Sequence, residues 1–410
     1  MRFVDSTAQG TRSGPVFDDA GRTVEEARIL AMLRLGGFAF APDQAHAERE
    51  AREALYAWTE GGLPCVRAPC GGRRFDPVEV VGFMKRRGLE GRDAFYERRW
   101  VATGRRLVES LAQARGDRLK VSLRRRFAVD APAGARVRLR APAPLESVHG
   151  PGSVAGVEVR GIEAARVDEG EGRIEARGVS RGPGFVELDA TFLIAREQAP
   201  SADPPQAAHL APREGLIDVS AQVAALARRL AGTPARPRAA LAAFWAYMMD
   251  ELRCGPVPYE RIDPRAPCDF VLRFGWYDCQ LGAALFVALC RAVDAPARIV
   301  GGHVLYAKAP TNHFWAEAFI DGRWAPYDFL CYDLSLGGRD ALWRERFFGR
   351  LDMRLIAERR PLEFTGAPGV KIPPVWRVVQ TSEEDGARIA LEGVDGAPVL
   401  SDRISVRPAP

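Results

Sequence analysis

His313-Phe314-Trp315-Ala316-Glu317-Ala318-Phe319-Ile320-Asp321-Gly322-Arg323-Trp324-Ala325-Pro326-Tyr327-Asp328 is the stretch that decides the fold. Asp-Gly between two apolar runs signals a β-hairpin with a two-residue loop, because both central residues of that turn need positive φ. With Asp321-Gly322 at the tip, Ile320 pairs with Arg323, and counting outward Trp315 pairs with Asp328. His313 stands two residues before Trp315, so it points to the same face of the sheet as Asp328. Imidazole and carboxylate are then diagonal neighbours across the hairpin, within reach of each other. A slip of one residue would separate them, so the pairing depends on the register.

A carboxylate that orients an imidazole is half of a nucleophilic site. Working back along the chain, Gly275-Trp276-Tyr277-Asp278-Cys279-Gln280 precedes an apolar helix carrying Leu281, Leu285, Leu289 and Val293. A thiol in the first turn of a helix meets the positive end of the macrodipole and several unpaired N–H groups. That placement favours the thiolate, which is the nucleophilic form. The N–H of Cys279 is also a candidate oxyanion donor. A single cysteine before an apolar helix is usually a small core residue. The functional reading therefore rests on Cys279, His313 and Asp328 occurring together.

With these residues in view, the chain resembles the transglutaminase-like superfamily. The resemblance is carried by Cys279 through Leu285, Cys290-Arg291-Ala292, Ala295-Pro296-Ala297-Arg298 and Gly302. It continues in His-x-Trp-x-Glu from His313 and Gly-x-Trp-x-Pro-x-Asp ending at Asp328. It spans roughly residues 215 to 335 and implies an α+β, papain-like core in which the cysteine helix packs on an antiparallel sheet. It further implies Cys279 as nucleophile, His313 as general base and acid, and Asp328 as orienting acid, as in bacterial transglutaminase-like cysteine proteases and acyltransferases. There are two departures: Tyr277 stands where members carry a small residue, and Asp294 where they carry Gly. An upstream aromatic residue often helps hold the oxyanion in such proteins, and Trp245, Tyr247 and Tyr259 are all candidates. Trp276, Trp315 and Glu317 are further candidates for lining the site.

Outward from this core the period of the pattern changes. Residues 1–116 read as helical, with Thr23 and Glu26 as a capping box, Asp76-Pro77 opening a third helix and Trp100 to Ala114 a fourth. Residues 117–197 alternate with period two and read as a β-sandwich, including a Val-x-Leu-x-Ala-Pro-x-Pro stretch (Val137 to Pro144) similar to the domain before the core in bacterial members. Residues 198–213 are rich in Pro and Ala and read as a linker. Residues 214–335 hold the core, and 336–410 are expected to pack on it and shape the cleft.

Composition narrows the function. A chain of 410 residues is long for one core. The net charge of +5 is modest, and the cations are arginines apart from Lys85, Lys120, Lys308 and Lys371. Acidic residues alternate with them, which argues against a nucleic-acid partner. The densest run, Arg124-Arg125-Arg126, reads as the exposed side of a strand. No apolar leader and no long apolar run is visible, so no membrane partner is expected. Seven irregularly spaced cysteines suggest reduced thiols and a cytoplasmic location. Cys65 and Cys70 lack a second metal-binding pair, and neither metal nor cofactor is expected. The expected activity is attack of Cys279 on a peptide, protein or other amide through a thioester, with hydrolysis favoured because excluding water needs special cleft features. Transfer to an amine acceptor, as in a transamidase or amide-forming acyltransferase, is the alternative within the same chemistry. A catalytically idle peptide-binding module is the alternative of another class.

Overall fold

The computed structural model describes residues 22–35, 44–69, 71–101, 104, 116–129, 132–145, 152–170, 172–197, 200–233, 236–263, 265–305, 311–330, 341–359 and 400–409. Helices α1 (Glu26–Leu35), α2 (Gln44–Glu60) and α3 (Pro77–Leu89) form the N-terminal part. They bury Ile29, Leu33, Leu55, Trp58, Val80 and Met84. Asp76 caps α3, its carboxylate accepting from the N–H of Val78. The expected capping box on α1 does not form. Thr23 and Glu26 instead accept from Arg74 and Arg73, which belong to a small three-stranded sheet that the helical reading missed. Of the expected fourth helix from Trp100 to Ala114, Trp100 and Val101 end a single wide π turn (Glu97–Val101), and most of the remainder lies outside the described residues.

The alternating segment folds as β1 (Arg118–Val129), β2 (Arg136–Pro142), β3 (Gly152–Arg160), β4 (Ile162–Gly170), β5 (Arg173–Ser180) and β6 (Gly184–Ala195). Period-two burial on β6 hides Val186, Leu188, Ala190, Phe192 and Ile194 on one face. The same alternation corrects the reading of the arginine run. Arg124 and Arg126 are exposed, but Arg125 between them is buried, since neighbours on a strand face opposite ways.

The core begins with α4 (Ala221–Ala231), capped by Ser220, and α5 (Pro237–Asp250), which opens on Pro237. Next come α6 (Pro267–Phe274) and α7 (Cys279–Arg291), in which every residue from Gln280 to Arg291 is buried. Strands β7 (Ala297–Val304), β8 (Thr311–Ile320) and β9 (Arg323–Tyr327) are antiparallel, and α7 packs on β7 and β8. The turn into β7 needs a left-handed residue, and Asp294 supplies it at φ 57°, a conformation that Asp tolerates better than most side chains. That accounts for the exchange of the family's Gly.

Two segments lie differently from the reading of the sequence. Residues 200–213 follow the hairpin as a packed strap: the carbonyls of Ser201 and Asp203 accept from the backbone and indole N–H of Trp324. In the same strap His209 is buried against the Trp324 ring. The C-terminal extension also divides. β10 (Arg354–Arg359) joins the core sheet beside β7, giving the order β9-β8-β7-β10. β11 (Leu400–Pro408) pairs instead with β1, giving the order β11-β1-β6-β3, while a second sheet has the order β2-β5-β4. Residues 336–410 therefore do not pack on the core as one unit, because backbone pairing on the open edge of β1 takes the last strand elsewhere.

Candidate active site

The hairpin has the register that places histidine beside aspartate. Ile320 pairs with Arg323, and the ladder continues to Ala316 and Tyr327. Asp321 and Gly322 both have positive φ, at 51° and 78°, as a two-residue turn of this hand requires. Nε2 of His313 lies 2.8 Å from Oδ1 of Asp328, and both side chains are buried. Oδ1 also accepts from the N–H of Leu330 at 2.8 Å. Burial alone would raise the carboxyl's pKa, but the charges and hydrogen bonds of His313 and Arg354 outweigh it and hold Asp328 well below the usual carboxylate range. With Nε2 committed to Asp328, Nδ1 is the nitrogen able to exchange a proton with a thiol.

Cys279 occupies the first position of α7 and is partly exposed. Asp278 is the N-cap, its carboxylate accepting from the N–H of Leu281 at 2.8 Å. Tyr259 donates to that carboxylate at 2.8 Å, so its hydroxyl secures the cap of the cysteine helix. Two core thiols away from the site are fully buried, and burial pushes Cys268 up to about 12 and raises Cys290 too. The departure at Tyr277 is absorbed within α7. Tyr277 is fully buried and its ring lies over Gly282, where an added Cβ would come within 2.4 Å of it.

The remaining candidates fall in several places. Trp315 is buried and stacks beside His313 with ring centroids 6.2 Å apart, backed by Val300 and Leu351. Glu317 lies on the same face of β8 as His313, four residues further on, and is bound by Arg298 at 2.7 Å, whose guanidinium lies on the Trp324 ring. Trp245 is packed in an aromatic cluster with Tyr327, Phe329 and Phe348. Tyr247 is half-buried, which raises its pKa. Trp276 packs against Phe270 and Phe274, with Lys85 of α3 over its ring.

Sequence reading missed Arg354. Its Nη2 reaches Oδ2 of Asp328 at 2.6 Å, and both groups are fully buried. The available signal was a cation in the otherwise apolar Met353-Arg354-Leu355-Ile356 run.

In comparison with known families, residues 224–329 match the transglutaminase-like superfamily. This segment is similar to a transglutaminase-like core. It holds α7 with Cys279, the hairpin and Asp328, while Arg354 lies beyond it. Comparison with curated proteins gives no match. Among solved structures, the chain is similar to a candidate cysteine protease from Cytophaga hutchinsonii, at 12% identity over 72% of this chain and 93% of that one, TM-score 0.44. It is also similar to the periplasmic domain of TgpA from Pseudomonas aeruginosa, at 16% identity over 58% and 95%, TM-score 0.29. A candidate protease from Parabacteroides distasonis follows at 14% identity over 50% and 43%, TM-score 0.26. Among the described residues, no helix is long and apolar enough to cross a membrane.

Proposed function

We propose that this protein is a cysteine-dependent hydrolase of a peptide or other amide, with Cys279, His313 and Asp328 as its triad. The observation that carries the reading is the buried His313–Asp328 hydrogen bond at 2.8 Å, in a core whose cysteine begins a capped helix. Nδ1 of His313 takes the thiol proton, and the Cys279 sulfur forms a bond to the carbonyl carbon of the substrate. The oxyanion that results is stabilised by the N–H of Cys279 at the start of α7. As the tetrahedral intermediate collapses, the C–N bond breaks and the imidazolium gives its proton to the departing amine. Water, deprotonated by His313, then attacks the thioester, releasing the acid and restoring the thiol. Asp328 stays ionised throughout and stabilises the imidazolium. A peptide, protein or other amide substrate and a cytoplasmic site of action belong to this proposal on the strength of the sequence reading.

The test is intact-mass spectrometry after brief, sub-stoichiometric iodoacetamide treatment near pH 6, on wild type and His313→Ala. At that pH an ordinary thiol, with pKa about 8.5, is nearly all protonated and reacts slowly. A single fast modification at Cys279, lost in the variant, supports an activated nucleophile. Slow labelling scattered over several cysteines and indifferent to His313 would sink the proposal in favour of an idle binding module. Incubating an active preparation with peptides and a primary amine then separates hydrolysis from transfer by product mass.

A further inference from the structure

The two oxygens of Asp328 are held from opposite sides. Oδ1 accepts from His313 Nε2 and from the N–H of Leu330, both at 2.8 Å. Oδ2 accepts from Nη2 of Arg354 at 2.6 Å. Nη1 of the same guanidinium donates to the carbonyl of Asp352 at 2.9 Å, and the Phe347 ring lies 5.7 Å from its carbon. A carboxylate gripped at one oxygen can still rotate about its Cβ–Cγ bond, whereas one gripped at both has its plane fixed. Burying such an ion pair gives little net stability, because desolvating both charges offsets their attraction. Its place beside the histidine therefore calls for another account.

The backbone delivers Arg354 to this spot with some strain. Met353, the residue before it, has φ 50°, unusual for a side chain of this size. The conformation is fixed from both sides: the N–H of Met353 donates to the carbonyl of Arg196 at 2.7 Å, and its carbonyl accepts from Leu305 at 2.8 Å. Asp352 forms a β-bridge with Glu197. Arg196 and Glu197 directly follow β6, so the end of a sandwich strand pins the turn that carries the arginine. On the triad side, the N–H of Gly349 donates to the carbonyl of Pro326 at 2.8 Å, which ties the same turn to β9. Close approach completes the arrangement: a Cβ at Gly302 of β7 would lie 1.9 Å from the carbonyl oxygen of Leu355.

We propose that Arg354 is a positioning residue of the triad, which fixes Asp328 through Oδ2 in the plane where Oδ1 meets His313, and that the sandwich supports it there. The inference rests on the triad reading. Among the described residues, the charged groups facing Asp328 are His313 from β8 and Arg354 from β10. Arg346 and Asp352, in the segment before β10, pair with each other at 2.5 Å. The cation favours the ionised carboxylate, and burial opposes it. Without Arg354, Oδ2 is released, the carboxylate can turn about its Cβ–Cγ bond, and the imidazolium loses its fixed acceptor.

The test uses the full chain as wild type, His313→Ala, Arg354→Met, Arg354→Lys, Asp328→Asn and the double variant Asp328→Asn/Arg354→Met. The rate of Cys279 alkylation by iodoacetamide is followed from about pH 5 to about pH 8, with near-ultraviolet circular dichroism as the check on folding. Arg354→Met is expected to lower the rate at the acid end about tenfold, the factor that accompanies a rise of one pK unit in the Cys279 thiol when the imidazolium beside it is less firmly held. The rate at the alkaline end stays unchanged, and Arg354→Lys recovers most of the loss. On the Asp328→Asn background, Arg354→Met adds nothing. A uniform drop at every pH, or an undiminished effect on the Asn background, overturns the proposal and leaves Arg354 as packing. Should Arg354→Met not fold, the double variant decides, since it leaves no buried charge alone: a rate below that of Asp328→Asn overturns the proposal, and an equal rate supports it. A wild-type rate indifferent to His313→Ala overturns the triad reading and the inference with it. A rate that depends on His313 but ignores Arg354 overturns the inference alone.

Discussion

Replacing Gly282 with alanine should destabilise this core, although alanine is the better helix former. Gly282 sits one turn after Cys279 in α7, and a Cβ there would meet the Tyr277 ring at 2.4, 2.9 and 3.1 Å. Intrinsic propensity favours alanine by about 1 kcal/mol. Overpacking in a tight core costs about 1–3 kcal/mol, and the upper end applies here because Tyr277 has no exposed surface into which to retreat. The net is a loss of about 2 kcal/mol. Tyr277→Ala alone should cost about 3–5 kcal/mol, as for other large buried rings. With the ring gone, however, Gly282→Ala should stabilise by about 1 kcal/mol, so its sign reverses. The two residues are then coupled by about 3 kcal/mol, at the upper end for side chains in contact. Scanning calorimetry on wild type, both single variants and the double variant reads the sign from the order of the core's melting temperatures. If Gly282→Ala lowers the midpoint equally in both backgrounds, Tyr277 is not what demands glycine, and the account of how α7 accommodates the tyrosine fails.

Asp278→Asn keeps a side chain that caps helices equally well, so stability should hold; loss of the negative charge beside Cys279, worth about 0.3–1 kcal/mol at a helix end, should speed its alkylation near pH 6 about two- to fivefold. Asp328→Ala should cost about 3–5 kcal/mol by leaving Arg354 buried without its anion, and pairing it with Arg354→Met should recover much of that, measured by calorimetry. Because Asp328 is held below the ordinary carboxylate value of about 3.9, its contribution is fully present above that pH and is lost as the unfolded chain takes up the proton first. The wild-type melting temperature should therefore fall on acidification below about pH 4, and less steeply in Asp328→Asn/Arg354→Met; parallel curves would contradict this assignment.

The features legible in the sequence are those fixed by local rules. Asp321-Gly322 sets a turn, the turn sets a register, and the register puts His313 beside Asp328. Asp278 marks where α7 begins and therefore where Cys279 sits. Arg354 obeys no local rule, since β10 finds β7 across the whole hairpin and its burial makes sense only once Asp328 is opposite. The division of the extension was hidden for the same reason: pairing of β11 with β1 is a long-range choice. Aromatic identity drew attention to Trp245 and Tyr259, but it does not reveal partners. One is packed among three other rings, and the other ties down the cap of the cysteine helix.

The pairing of β11 with β1 bears on the order of assembly. As the chain leaves the ribosome, β1 emerges early while its outer neighbour waits for the entire core to be made. In that interval β1 presents an unpaired edge in which Leu119, Val121 and Leu123 alternate with polar residues, an invitation to strands of other nascent chains. The exposed Lys120, Arg124 and Arg126 along that strand are the kind of charges that discourage such partners. A protein cut before Leu400 would keep the triad and its arginine yet carry that open edge permanently, so its failure would show as aggregation rather than as lost chemistry.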